Sequence, residues 1–294
     1  MGLVVNNANH PFDRTLSTFL IVGGGPFFPT STFLEKEFEY EYDFQYAHHD
    51  PCGLGLSRTC DVSNRLSDLG DESLTVFNYM KNVLNMTDIV VIFYSAGFAS
   101  AYETIDKYVG CSIVLLSPMI SVMNSLTQRD ICLKNRVGIV VSSLFDLNDA
   151  AKRYATRYLC AGGSVHCSEA NVVDFNLVIE CGADKIAIDF DAYRSNGGDV
   201  LKSLVLRNNV LSEYITINMM NGPLYPVTTS KLLMYGSRHD FVTPYAYIID
   251  YAQVLIQRGV QVELAAVEWS HYELSEHPSL VLSRIAEDLQ ISHI

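Results

Sequence analysis

Basic residues are scarce in this chain. Its 20 lysines and arginines stand against 33 aspartates and glutamates, a formal net charge of −13 over 294 residues. A surface that acidic repels phosphate backbones and anionic lipid, so neither nucleic acid nor a membrane is an expected partner. Charge of either sign is thin, at 18% of residues against 49% hydrophobic. Long disordered tails are therefore not expected, and the chain can bury a large core. The apolar run nearest the start, residues 18–22, is far too short to span a bilayer and follows no basic stretch, so no secretory leader is expected. Position 6 is Asn6 rather than serine or threonine, which argues against myristoylation of Gly2.

Paired cysteine motifs are also missing. The seven cysteines (Cys52, Cys60, Cys111, Cys132, Cys160, Cys167 and Cys181) are odd in number and scattered, with no Cys-x-x-Cys. Reduced thiols in a cytoplasmic protein are the expectation, and the sequon at Asn85 then has no glycan to carry. No metal is expected. Cys160 and Cys167 flank His166 without zinc-like spacing, and His48, His49 and Asp50 are adjacent on a strand end, where neighbouring side chains point to opposite faces. Nor is a cofactor expected: no Lys-Ser/Thr follows Gly23-Gly24-Gly25, and the spacing fits neither a Walker motif nor a dinucleotide fingerprint.

What the chain does have is alternation of strand-length apolar runs and helix-period stretches. Strands are predicted over 18–22, 40–48, 88–94, 112–116, 231–235 and 260–267. Helices are predicted over 33–38, 73–84, 96–109, 245–258 and 279–289. This rhythm implies an α/β chain: a mostly parallel sheet with helices on both faces, its strand C-termini gathered on one edge where ligand sites form. Residues 121–229 break the rhythm, apart from a predicted strand over 136–143 and a helix over 147–159. They are read as an inserted cap (lid), leaving 1–120 and 230–294 as the core.

Ser95 stands where an apolar run ends abruptly in Ser-Ala-Gly and a small-residue helix begins. Such a turn holds a hydroxyl clear of its own backbone at the sheet edge and aims a helix N-terminus at whatever it attacks. Asp240 and His271 follow in the order Ser, Asp, His. A serine hydroxyl is a poor nucleophile without a neighbouring base, and the base needs an acid to fix its tautomer. His271 would take the proton and Asp240 would orient the ring. His239 and His277 are competing bases nearby in sequence, with His277 set at the start of the last helix, and Asp146 is an alternative acid. The Ala96 N–H, opening the helix, is a candidate donor to a tetrahedral oxyanion. Tyr94, Phe98 and Phe27 are expected to line the substrate pocket, with core packing an equal alternative for Phe98.

In these motifs the chain resembles the α/β-hydrolase superfamily, and within it the branch that includes proline iminopeptidases. Gly23-Gly24-Gly25-Pro26-Phe27 resembles that branch's His-Gly-Gly-Pro-Gly. Asp50-Pro51-Cys52-Gly53-Leu54-Gly55-Leu56-Ser57 is similar to its Asp-x-x-Gly-x-Gly-x-Ser. Phe93-Tyr94-Ser95-Ala96-Gly97 stands for the nucleophile elbow Gly-x-Ser-x-Gly, with Phe93 in place of the first glycine. Gly236, Asp240 and Pro244, then His271, complete the set. The resemblance covers the chain outside 121–229 and implies an α/β-hydrolase fold with Gly25 as a further oxyanion donor. It implies a serine hydrolase acting through an acyl-enzyme on an ester, thioester or amide, with aminopeptidase-like substrates among the options. The same groups serve acyl transfer or cyclisation. A catalytically silent binding protein is the alternative of another class, and Phe93, which threatens to displace the elbow, is its main support. Substrate and oligomeric state stay open.

Overall fold

The computed structural model describes residues 3–6, 12–23, 43–53, 57, 59–61, 65–121, 164–166, 176–181, 184–189, 213, 217–220, 232–238, 240, 243–269, 271 and 273–291. Its centre is a sheet of seven strands. They are β1 (Leu3–Asn6), β2 (Ser17–Val22), β3 (Phe44–His49), β4 (Ile89–Tyr94), β5 (Ser112–Leu116), then β9 (Leu232–Ser237) and β10 (Val262–Val267). The spatial order is β1-β3-β2-β4-β5-β9-β10. Only β1 runs antiparallel to its neighbour; every other pairing is parallel. From β2 the chain moves outward to β3 and then crosses back to β4 on the other side. The strand order therefore reverses beside β2, the place where open α/β sheets form their crevice.

Alternation along each strand separates two buried layers. Leu20, Val22, Val91, Phe93, Ile113, Leu115, Leu232 and Met234 face one way. On that side lie α1 (Leu66–Asn82), α2 (Ala96–Ala101) and α3 (Tyr245–Gln257), whose buried residues Phe77, Met80, Ala99, Ile248 and Tyr251 join the same cluster. Phe19, Ile21, Tyr46, Val90, Ile92, Tyr94, Leu233 and Tyr235 face the other way, against Leu274 of α4 (Glu273–Glu276) and Val281, Leu282 and Ile285 of α5 (Pro278–Asp288). Helices thus cover both faces, which is why the central strands read as continuous apolar runs.

Two helices differ from their sequence reading. Helix α1 begins at Leu66 rather than residue 73, because the polar residues that hide its start have local work. The Arg65 N–H donates to Asp68 Oδ2 at 3.0 Å, and the Cys52 N–H donates to Glu72 Oε2 at 2.8 Å. Gly70 is needed for close packing, since a Cβ there would lie 2.3 Å from the Ser100 carbonyl oxygen. The helix after the elbow is shorter than 96–109. It stops at Ala101, and a separate 3₁₀ turn covers Ile105–Lys107.

Within 121–229, β6 (Ser164–His166), β7 (Asn176–Cys181) and β8 (Asp184–Asp189) form a second, antiparallel sheet. The sequence reading placed no strands at these three positions. The elements predicted over 33–38, 136–143 and 147–159 lie outside the described residues. Among the described residues, no helix is long and apolar enough to cross a membrane.

Candidate active site

Ser95 sits between β4 and α2 with φ 51° and ψ −117°. A positive φ is costly for any residue with a Cβ and marks an imposed turn. The surroundings that impose it are visible. The Ser95 N–H donates to the Leu116 carbonyl at 3.0 Å, and the Ser95 carbonyl accepts from the Met119 N–H at 3.1 Å. Gly97 lets the helix press onto the end of β2: a Cβ there would stand 2.4 Å from the Val22 carbonyl oxygen and 2.8 Å from that of Gly23. Phe93 does not push the helix away. Its ring is fully buried on the helix side of the sheet, edge-on to Tyr108 with ring centroids 5.2 Å apart.

The structure brings Ser95, His271 and Asp240 together from three separate connections. His271 Nε2 lies 3.0 Å from Ser95 Oγ, and His271 Nδ1 lies 2.8 Å from Asp240 Oδ2. All three are buried, at 4%, 7% and 3% exposure for Ser95, His271 and Asp240, so water competes little for these hydrogen bonds. Burial alone would raise the Asp240 pKa. The His271 ring and the Thr243 hydrogen bonds outweigh it and hold the carboxyl below its ordinary value. An ionised carboxylate only accepts, so the proton between the two groups belongs to Nδ1. In the neutral ring that tautomer gives Nε2 a lone pair aimed at the serine hydroxyl.

Thr243 is a participant that the sequence reading did not single out. Its hydroxyl donates to Asp240 Oδ2 at 2.6 Å and its N–H donates to Asp240 Oδ1 at 2.8 Å. The signal was present: an aspartate followed three residues later by threonine, just ahead of a proline and a helix, is a side-chain-to-backbone turn pattern. The loop bearing His271 is anchored on the opposite side. Trp269 stacks on Tyr235 with centroids 5.7 Å apart, and the Tyr235 hydroxyl donates to Asp288 Oδ2 at 2.7 Å.

The remaining expected site residues fall in different places. Ala96 is the first residue of α2, next to the serine. Tyr94 and Phe98 are 5% and 1% exposed and belong to opposite layers of the sheet. The Tyr94 hydroxyl donates to the His271 carbonyl at 2.6 Å, whereas Phe98 packs against Tyr102 and Tyr251. His277 stands at the N-cap position of α5 and is exposed. Gly25, Phe27, Asp146 and His239 lie outside the described residues.

His48 and His49 do point to opposite faces. His48 stacks on Tyr46 with centroids 6.3 Å apart, and His49 Nε2 lies 3.4 Å from Ser73 Oγ of α1. Both are buried, and neither Nδ1 has a hydrogen-bond partner among the described residues. Burial lowers the pKa of both rings, that of His49 to about 4. Among the described residues, no three histidine, cysteine or acidic side chains are grouped so as to hold a metal ion.

No protein-family model and no curated protein matches the chain. Solved structures do. A lipase-esterase related protein from Clostridium acetobutylicum is 16% identical, with a TM-score of 0.57, covering 98% of both chains. An alpha/beta hydrolase enzyme from a Medee basin deep-sea metagenome library is 12% identical, with a TM-score of 0.55, covering 100% of this chain and 95% of the other. The 2-hydroxy-6-oxo-6-phenylhexa-2,4-dienoate hydrolase of a Rhodococcus species is 13% identical, with a TM-score of 0.55, covering 95% and 92%. Identities this low speak to architecture alone, and the architecture agrees with the sheet order and helix layers above: the chain has the α/β-hydrolase fold.

Proposed function

We propose that this protein is a serine hydrolase that works through an acyl-enzyme on an ester, thioester or amide. The observation that carries the reading is the continuous hydrogen-bonded path from Ser95 Oγ through both nitrogens of His271 to Asp240. In this reading Nε2 takes the serine proton as Oγ attacks the acyl carbon. The ring becomes a cation beside Asp240 and then hands the proton to the leaving alcohol, thiol or amine. Water repeats the sequence to release the acid. The Ala96 N–H, and that of Gly25 by resemblance, would receive the oxyanion, each donor worth about 3–4 kcal/mol in such sites. Residues 121–229, as a cap, would set substrate choice.

The structural neighbours include esterases and a dienoate hydrolase, which supports a hydrolytic reaction. The motifs shared with the iminopeptidase-like branch keep aminoacyl amides among the substrates, and the scattered cysteines keep the setting cytoplasmic. The silent-binder alternative loses its main support, since Phe93 packs inward without displacing the elbow.

Turnover of activated aryl esters, acyl thioesters and aminoacyl arylamides tests the reading. At least one class should be hydrolysed, with the rate lowered about 10³-fold or more in both Ser95→Ala and His271→Ala. Turnover that survives both substitutions would reject the assignment.

A further inference from the structure

Two strained turns meet at the elbow. Ser95 has φ 51°, and Ser117, at the end of the neighbouring strand β5, has φ 45°. Residues with a Cβ keep such a backbone only where their surroundings over-determine it. Here the turns hold each other. The Ser95 N–H donates to the Leu116 carbonyl, the Ser117 N–H donates to the Tyr235 carbonyl at 3.0 Å, and the Met119 N–H returns to the Ser95 carbonyl at 3.1 Å. Residues 116–119 thus grip both backbone polar groups of the serine. A second segment braces that grip. The Met219 N–H donates to the Ile120 carbonyl at 3.1 Å, and Ser121 and Asn218 form an antiparallel bridge. The Asn218 side chain closes its own turn, accepting from the Met220 N–H at 3.1 Å. Upstream, the same segment is fastened again. Glu213 Oε2 accepts from the Leu66 N–H, the first of α1, at 2.6 Å. Helix α1 in turn presses on α2, since Gly70 has no room for a Cβ against the Ser100 carbonyl. Both fastenings therefore end on groups that touch the elbow: one on the turn bonded to Ser95, the other on the helix packed against α2.

We propose that Glu213 is a positioning residue for the serine. By anchoring the segment that carries Asn218 and Met219 to the start of α1, it keeps residues 116–119 against Ser95 and so keeps Oγ facing His271. The proposal rests on the serine-hydrolase reading above. A segment tied at one end loses less freedom when its other end bonds to Ile120 and Ser121. A carboxylate suits the task, because a charged acceptor binds a free N–H at a helix start more strongly than a neutral one. The Arg65 partner contributes little: its Nε is 3.8 Å from Glu213 Oε1, between side chains 71% and 42% exposed. Without Glu213 the segment detaches more often, the Met119 N–H leaves the Ser95 carbonyl, and the serine relaxes towards an unstrained backbone. Substrate binding is unaffected, but Oγ meets the acyl carbon in fewer of the bound complexes. The loss therefore falls on kcat and not on KM.

Steady-state kinetics and amide hydrogen exchange on the full chain test this. Glu213→Ala should lower kcat on an aryl ester about 10-fold with KM unchanged. Glu213→Gln, which keeps an acceptor for the Leu66 N–H, should restore most of that rate, and Arg65→Ala should match the wild type. In Glu213→Ala the Met119 and Met219 amides should exchange faster along with that of Leu66. Faster exchange confined to Leu66, with kcat intact, would reduce Glu213 to a helix cap and overturn the proposal. So would a rise in KM alone, which would place Glu213 at the substrate. The wild type supplies a check that needs no variant to fold: its Met119 and Met219 amides should show similar protection, and strong protection of Met119 beside a freely exchanging Met219 would contradict the brace. A wild type that turns over no substrate while the exchange coupling holds would defeat the hydrolase reading and leave the anchoring in place.

Discussion

The Tyr94 hydroxyl donates a 2.6 Å hydrogen bond to the main-chain carbonyl of His271, and the two rings lie 5.6 Å apart at 31°. The residue before Ser95 thus holds the backbone of His271, so β4 sets both ends of the Ser95–His271 contact. Tyr94→Phe removes one hydrogen bond of about 0.5–1.5 kcal/mol net while keeping the ring. It should lower kcat by up to about 10-fold with little change in KM. Steady-state kinetics on an aryl ester check this split; a change confined to KM would instead make Tyr94 a substrate contact.

Gly97 is where the elbow meets β2. A methyl group there would press on two carbonyl oxygens of a central strand end, 2.4 and 2.8 Å away, and neither can swing aside. Gly97→Ala should cost about 1–3 kcal/mol of stability, as overpacking does. It should lower activity further by tilting Ser95. Thermal melts and ester turnover measure the two effects, and an unchanged melt would mean that the helix can shift freely.

Thr243 binds both carboxylate oxygens of Asp240. Thr243→Val loses the hydroxyl bond and keeps the backbone one, and kcat/KM should fall about 10-fold, while Thr243→Ser retains most of it. There is also an acid signature. Asp240 is held below its ordinary value of 3.8, so its contribution to stability is present above the unfolded pKa and fades as pH falls through the lower folded one. Losing the Thr243 hydroxyl raises that folded value towards the unfolded one, so the variant should lose less stability across the acid window, and its loss should end at a higher pH. Melts between pH 5 and about pH 2 would detect it.

His49 acts in a higher window. Its folded pKa is about 4, against 6.5 for the free ring. The unfolded chain therefore binds the extra proton between these values, and stability should drop as pH falls from 6.5 towards 4. The loss amounts to roughly 3 kcal/mol at about 1.36 kcal/mol per pH unit. His49→Gln should flatten the slope of stability against pH across that window. An equal slope in variant and wild type would assign the effect elsewhere.

Much of the core was legible because parallel strands covered on both sides carry long apolar runs. Strands β2, β4 and β5 were placed within a residue, and Ser95 stood out because β4 runs straight into Ser95-Ala96-Gly97 without a turn dipeptide. The order of Asp240 and His271 was legible for a different reason: each follows a strand whose end must lie on the same edge. Contacts between distant residues were not legible. The Tyr94–His271 bond spans the chain and leaves no local pattern, so Tyr94 read as a pocket wall. The start of α1 was hidden because Gly70 and Glu72 serve Ser100 and Cys52 rather than the helix's own periodicity. Strands β7 and β8 carried a hairpin signal, two short apolar runs separated by Gly182 and Ala183. It was obscured by the polar stretch around it.

The relay of Ser95, His271 and Asp240 is tested most directly by covalent labelling with a fluorophosphonate, which reacts only with an activated serine. The intact protein should gain one probe per chain, peptide mapping should place it on Ser95, and Ser95→Ala should take up none. A folded protein that stays unlabelled, or one labelled at another residue, would contradict the account.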